Sequence, residues 1–256
     1  GNQSATRTGL VAATTRGVGE MILDAVRRGC RDFIIGIGGS ATNDGGIGML
    51  SALGFSFLSE NGSDAGEGGQ ALGKVCSVDI SGQDPRLKDC RFRVACDVTN
   101  PLCGKNGATY IYGPQKGVTE DMKEPLDQAM SHYARVCASF LGKDCSLAEG
   151  AGAAGGLGFA FLSFLNARLI PGPSLILEAV GLEGELKDAD IVITGEGRLD
   201  HQTAMGKAPV GVASLAKKYG AKVIAFAGSV TADATACNDA GIDAFFPIVR
   251  GVTTLE

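Results

Sequence analysis

Asp32-Phe-Ile-Ile-Gly-Ile-Gly-Gly-Ser-Ala-Thr-Asn-Asp-Gly-Gly46 joins a short β-branched apolar run to a glycine-rich loop. The run reads as a buried strand, and helical spacing over residues 47–53, stopped by Gly54, completes a strand–loop–helix unit. Consecutive glycines let backbone N–H groups converge on an anion, to which a following helix adds its positive end. A phosphate or a carboxylate fits such a loop, whose candidate contacts are Gly38, Gly39, Ser40, Asn43 and Asp44. Gly36, Gly38 and Ala41 also satisfy G-x-G-x-x-A, a dinucleotide-binding pattern. Against it, the polar run Thr42-Asn-Asp44 interrupts where the helix should start, and no strand ending in an acid follows at the usual distance. A purely structural tight turn is the third reading.

Upstream, Val18, Met21, Ile22, Ala25 and Val26 predict a helix that Gly29 ends. Downstream, residues 55–58, 75–80, 92–97 and 109–112 read as strands, with a polar, glycine-rich loop over 59–73. Gly68-Gly-Gln-Ala-Leu-Gly-Lys74 imitates the start of a phosphate loop, but no Ser or Thr follows Lys74 and a strand comes next. A long helix begins after Thr119, with Pro125 predicting a kink or a later start, and Gly142 ends it. From residue 188 strands and helices alternate: 190–194, 207–219, 222–226, 232–240 and 244–248. Such alternation implies a parallel sheet covered on both faces. A boundary is expected near 186, with a mixed α/β domain over 1–186 and a Rossmann-like piece over 187–256.

Further loops carry candidate chemistry. Asp190-Ile-Val-Ile-Thr-Gly-Glu-Gly-Arg-Leu-Asp-His-Gln-Thr203, running on to Lys207, ends a strand in Glu196, Arg198, Asp200 and His201. Ligands of open α/β sheets sit at the carboxyl ends of strands. Carboxylates, a guanidinium and an ammonium gathered there suit phosphoryl transfer, Asp200 accepting a proton and Arg198 and Lys207 neutralising charge. A solvated loop with incidental ion pairs is the plain alternative. Cys96-Asp-Val-Thr-Asn-Pro-Leu102 offers Asp97 and Asn100 for a metal or for hydroxyls, or only an Asx turn before Pro101. Gly150-Ala-Gly-Ala-Ala-Gly-Gly-Leu-Gly158 either approaches a ligand or lets helices pack closely. His132 reads as structural.

The chain has 256 residues, 45% of them hydrophobic, and a net charge of −5. No basic stripe exists for nucleic acid, and no apolar run approaches the about 20 residues that span a bilayer. Neither nucleic acid nor membrane is expected as a partner, and no signal peptide is visible. The eight cysteines lack a C-x-x-C pair and read as reduced, buried thiols of a cytoplasmic protein. With two histidines a zinc site is not expected.

The blocks at 36–46, 96–102, 152–158 and 193–203, in that order, resemble the type 1 bacterial glycerate kinases, and the likeness runs from about Val11 to Ile248. The resemblance implies ATP-dependent phosphorylation of D-glycerate to 2- or 3-phosphoglycerate with Mg²⁺. It implies a Rossmann- or flavodoxin-like parallel-sheet domain, here partial, and a mixed α/β domain inserted in it, with the active site in the cleft between. Asp200, Arg198 and Lys207 are then the catalytic candidates; Glu196 and Asp97, with Asp44 as a further possibility, are candidates for Mg²⁺. The Gly38-Gly-Ser40 loop would cradle the glycerate carboxylate or a phosphate. The family's N-terminal Ala-Pro-Asp-Ser-Phe-Lys-type loop and its terminal helix have no counterpart in these residues, so a partial chain is expected. A homodimer is compatible with this reading. The rivals are a nicotinamide-dependent oxidoreductase using Gly36, Gly38 and Ala41, and a truncated ligand-binding protein without catalysis.

Overall fold

The computed structural model describes residues 7–249 and Gly251, and it is an α/β protein. Contacts divide the chain after Ile170 into two compact units. The first holds α1 (Arg7–Ala12), α2 (Arg16–Arg27), β1 (Asp32–Gly36), α3 (Ile47–Ala52), β2 (Ser56–Leu58), β3 (Ser77–Asp79), β4 (Arg91–Ala95), α4 (Ala108–Tyr112), α5 (Glu120–Leu141), α6 (Ala153–Phe164) and β5 (Arg168–Ile170). The second holds α7 (Gly172–Ala179), α8 (Leu182–Glu185), β6 (Ile191–Leu199), α9 (His201–Ala204), α10 (Ala208–Lys218), β7 (Lys222–Val230), α11 (Ala236–Asp239) and β8 (Ala244–Pro247). The division precedes the boundary read at 186 because α7 packs on α10 and buries Leu175.

In the first unit β1, β4 and β5 form a parallel sheet in that order, with Gly36 opposite Ala95 and Ala95 opposite Ile170. Parallel pairing brings the carboxyl ends of the strands to one edge, where the loops after Gly36 and Ala95 emerge. β2 and β3 form a separate antiparallel pair. The core is aromatic: Tyr133 of α5 lies 5.7 Å from Phe57 and 5.9 Å from Phe159, and Phe92 lies 6.1 Å from Phe161. Offset and edge-on ring pairs of this kind add to simple area burial.

Several elements differ from the sequence expectation. Residues 109–112 are helical rather than extended; their β-branched and aromatic side chains suit a strand, but Thr109 is fully buried and its hydroxyl accepts from Asn43. Tertiary contact overrides propensity here. Residues 69–74 form a short 3-10 helix against α5 instead of open loop, with Leu72 buried. α5 runs through Pro125 without ending there, and it ends at Gly142 as expected, in a left-handed cap at φ 66°. β5, α7 and α8 carry too short a pattern to be read from sequence.

The second unit has one parallel sheet in the order β6-β7-β8. α10 packs on β6 and β7, and Val192, Val223, Ala225, Ala213 and Ala216 are buried. Ile191, Ile193, Phe226, Phe246 and Ile248 are exposed instead. β6 continues to Leu199, so Glu196 and Arg198 lie on the strand, not in the loop expected after Thr194.

Asp243 ties this sheet together: its carboxylate accepts the Val223 N–H at 2.7 Å and pairs with Lys217. Lys217 and then Val223 hold its carboxyl down to about 2, from an ordinary 3.8. A folded-state pKa below the unfolded one gives stability that is complete above the ordinary value and lost as pH falls through about 2. Asp243→Asn is therefore expected to lower stability in urea denaturation at pH 7. Its gap to the unmutated protein should close as pH falls from about 4 towards 2; a gap independent of pH would contradict the pairing.

Candidate active site

At the carboxyl edge of the β1-β4-β5 sheet lies a cavity of about 1080 Å³. Gly38, Gly39, Ser40 and Asp97 line it, together with Cys96, Tyr112, Lys116 and Ala154. Among the described residues, no protein acceptor takes the backbone N–H groups of Gly38, Gly39, Ser40 or Ala41. A Cβ added at Gly36, Gly38 or Gly39 would meet nothing within 4 Å. These glycines are not needed for packing; they leave room and donors beside the cavity.

Asn43, Asp44 and Asn100, read as contacts, do not line the cavity. Asp44 is fully buried and accepts the Thr15 N–H at 2.8 Å, the Thr15 hydroxyl at 2.9 Å and the Gly46 N–H at 3.1 Å. Burial pushes its carboxyl up, against those donors. The helix end expected to face a ligand is thus met by the chain's own carboxylate, since α3 starts at Ile47 just after Gly46. Residues 41–43 carry no helix, so the G-x-G-x-x-A pattern has none at its required place. Asn43 donates to Thr109 at 3.0 Å, while Asn100 donates to the Asn106 carbonyl at 2.8 Å and accepts from Tyr112.

The second glycine run is a packing surface. Ala154, Gly155 and Gly156 are left-handed, and regular helix begins at Leu157. A Cβ on Gly155 would lie 2.1 Å from the Thr42 carbonyl, and one on Gly156 2.7 Å from Gly45. The Gly45 N–H donates to the Gly155 carbonyl at 2.9 Å, so the two glycine loops close on each other.

Lys116 escaped the sequence reading. It follows Gly113-Pro-Gln, which reads as an ordinary turn when residues 109–112 are taken as a strand. In the structure it is 6% exposed and lines the cavity, donating to the Thr42 carbonyl at 2.7 Å. Burial brings its ammonium down to about 8, against the pull of Asp44.

The second unit gathers the other candidates. Asp200 caps α9: it accepts the Thr203 N–H at 3.1 Å, and its own N–H donates to the Thr203 hydroxyl at 3.2 Å. The Thr203 hydroxyl in turn donates to Glu196. Lys207 stands 3.6 Å and Arg198 3.8 Å from the Asp200 carboxylate. Desolvation pushes the Asp200 carboxyl up, but the Thr203 N–H, Lys207 and Arg198 together hold it below its ordinary value. Such a carboxylate stays ionised and oriented, with two cations beside it for a negatively charged group. His201 is exposed. Among the described residues no three His, Cys, Asp or Glu side chains gather as a metal cage. All eight cysteines are free thiols, but only Cys137, Cys145 and Cys237 are buried; Cys90, Cys96 and Cys103 are half-buried, and Cys30 and Cys76 are exposed.

The model of the family described as "Glycerate kinase family" matches residues 2–256. The chain is 53% identical over 243 residues to the glycerate kinase of Bacillus subtilis (strain 168), covering 95% of this chain and 64% of that protein. It is 51% identical over 246 residues to the glycerate 2-kinase of Escherichia coli (strain K12), covering 96% and 65%. A crystal structure from Salmonella typhimurium LT2, assigned as glycerate kinase 2, superposes with a TM-score of 0.87 at 48% identity, over 99% of this chain and 66% of that one. The chain thus spans slightly under two thirds of the length of these relatives.

The two kinds of glycine predict different costs. A Cβ at Gly46, whose φ is 77°, would lie 2.3 Å from the Ala160 Cβ, whereas one at Gly39, φ 69°, enters open space. Gly46→Ala should lose about 2–4 kcal/mol from the left-handed backbone and overpacking together, and Gly39→Ala only about 1 kcal/mol. Urea denaturation measures both, and equal losses would contradict the distinction.

Proposed function

The chain belongs to the glycerate kinase family, and from that premise we propose that this protein phosphorylates D-glycerate with ATP. The observation that carries the proposal is Asp200, fixed as the cap of α9 at the end of a parallel strand between Lys207 and Arg198. Phosphoryl transfer needs little covalent chemistry from a protein; it needs an oriented proton acceptor and positive charge at the transferring group.

In this reading a glycerate hydroxyl oxygen attacks the γ-phosphorus of ATP, the bond to the β-phosphate oxygen breaks, and ADP leaves. The hydroxyl proton passes to the Asp200 carboxylate, while Arg198 and Lys207 offset charge on the phosphoryl oxygens. The name of the Escherichia coli relative, glycerate 2-kinase, favours the C2 hydroxyl and hence 2-phosphoglycerate. The open loop at Gly38, Gly39 and Ser40 would receive an anionic group of the ligands. Mg²⁺ is commonly held by one or two carboxylates together with substrate phosphates, so the lack of a protein-only cage is compatible with it. Asp97 in the first unit and Glu196 in the second are separate candidates to hold it, and the ion would neutralise phosphate charge. Asp44, enclosed by Thr15 and Gly46, is better suited to its structural place.

The β6-β7-β8 sheet is proposed as part of a larger Rossmann-like sheet. Parallel sheets are normally covered on both faces, and the exposed Ile191, Ile193, Phe226 and Phe246 support that reading. A cytoplasmic setting accords with the free thiols. No helix among the described residues is long and apolar enough to cross a membrane.

A coupled ADP-release assay with D-glycerate, its product identified by NMR, tests the activity and the regiochemistry together. Asp200→Asn keeps a good helix cap but removes the charge. Turnover should fall by about 10²-fold or more, with thermal stability nearly unchanged. Unaltered turnover would remove Asp200 from the chemistry, and a lost fold would reduce it to a cap.

A further inference from the structure

We propose that Lys116 is the anion-anchoring residue of the cavity in the first unit, pairing with the carboxylate of the hydroxy acid or with a phosphate of the nucleotide. The choice of ligands rests on the glycerate kinase reading above; the site itself rests on the geometry that follows.

Among the described residues lining the cavity, Lys116 brings the one positive side-chain charge. It is 94% buried by the complement of its 6% exposure, yet no carboxylate of the described residues lies within ion-pair distance of it. The Thr42 carbonyl, at 2.7 Å, takes one of the three ammonium donors. A buried ammonium with one neutral acceptor is costly unless an anion completes it. Burial accordingly brings its pKa down to about 8, despite the pull of Asp44.

The wall next to it supplies what an anion also requires. The N–H groups of Gly38, Gly39, Ser40 and Ala41 have no acceptor among the described residues, and the space beside Gly38 and Gly39 is empty of protein. Lys116 is bonded to Thr42 of this same loop, which fixes its ammonium relative to those donors. Carboxylates and phosphates are both met by converging backbone N–H groups plus a lysine.

Isothermal titration of the full chain with D-glycerate, its uncharged amide glyceramide, ATP and inorganic phosphate tests the assignment, comparing the unmutated protein with Lys116→Met. The expected result is at least a tenfold loss of affinity for glycerate or for ATP, with glyceramide binding unmoved. The anion that weakens identifies whether a carboxylate or a phosphate is held. A merely structural Lys116 would weaken glyceramide as much as glycerate, which overturns the proposal. So does undiminished binding of both anions by the variant, or absence of binding of all three anions to the unmutated chain. Phosphate binding that depends on Lys116, without glycerate binding, upholds the anchor and sinks the glycerate reading. Should the variant not fold, the unmutated protein decides: a tenfold preference for glycerate over glyceramide, or binding of ATP and inorganic phosphate, is expected, and equal glycerate and glyceramide affinities with no binding of ATP or phosphate overturn the anchor.

Discussion

Asp44 is a carboxylate sealed inside the first unit, and a buried charge persists only when donors surround it. Thr15 supplies two of them, through its N–H and its hydroxyl, and the Gly46 N–H supplies another. The Thr15 hydroxyl also accepts the Met49 N–H at 2.9 Å, so one side chain joins the start of α2 to the first turn of α3. This knot fixes where the long loop after β1 ends. It also uses up the helix end that a ligand might otherwise have claimed, leaving residues 38–41 as the stretch with unclaimed donors.

Glycine serves two opposite needs around that knot. At Gly45, Gly46, Gly155 and Gly156 any side chain would collide with neighbours, and the missing Cβ lets two loops lie in contact. At Gly38 and Gly39 the missing Cβ leaves space that nothing in the protein fills. The rigid set supports the open set: with residues 42–46 pinned by Asp44 and by Gly155, the open loop and Lys116 keep a defined separation. Preorganised donors of this kind cost little reorganisation when an anion arrives. In the second unit the acid of a helix cap is likewise held in place, braced by Thr203 and flanked by two cations.

Periodicity made much of this fold legible. The strand at 32–36, the helices beginning at 16, 47 and 120, and the parallel alternation after 188 all follow from apolar spacing and glycine stops. The candidate site was legible in part, as a set of local signals: glycine loops and clustered charges at strand ends. What pattern does not encode is direction: Asp44 and Ser40 look alike in sequence, but the one is turned into the core and the other faces the cavity. Lys116 was hidden for the same reason, since its placement comes from Thr42, distant in the chain, and from a helix at 108–112 whose composition suits a strand. The length of β6 was obscured by its glycines, which ladder pairing to β7 keeps extended.

The loop at 38–41 is proposed to bind an anion while the residues at 44–46 hold the fold. Backbone amide NMR of the isotopically labelled chain, titrated with D-glycerate and then ATP, tests this division of roles. Shifts are expected at Gly38, Gly39, Ser40 and Ala41 and at Lys116, with Asp44, Gly45 and Gly46 nearly still. Ligand binding that moves amides elsewhere and leaves residues 38–41 untouched would contradict it.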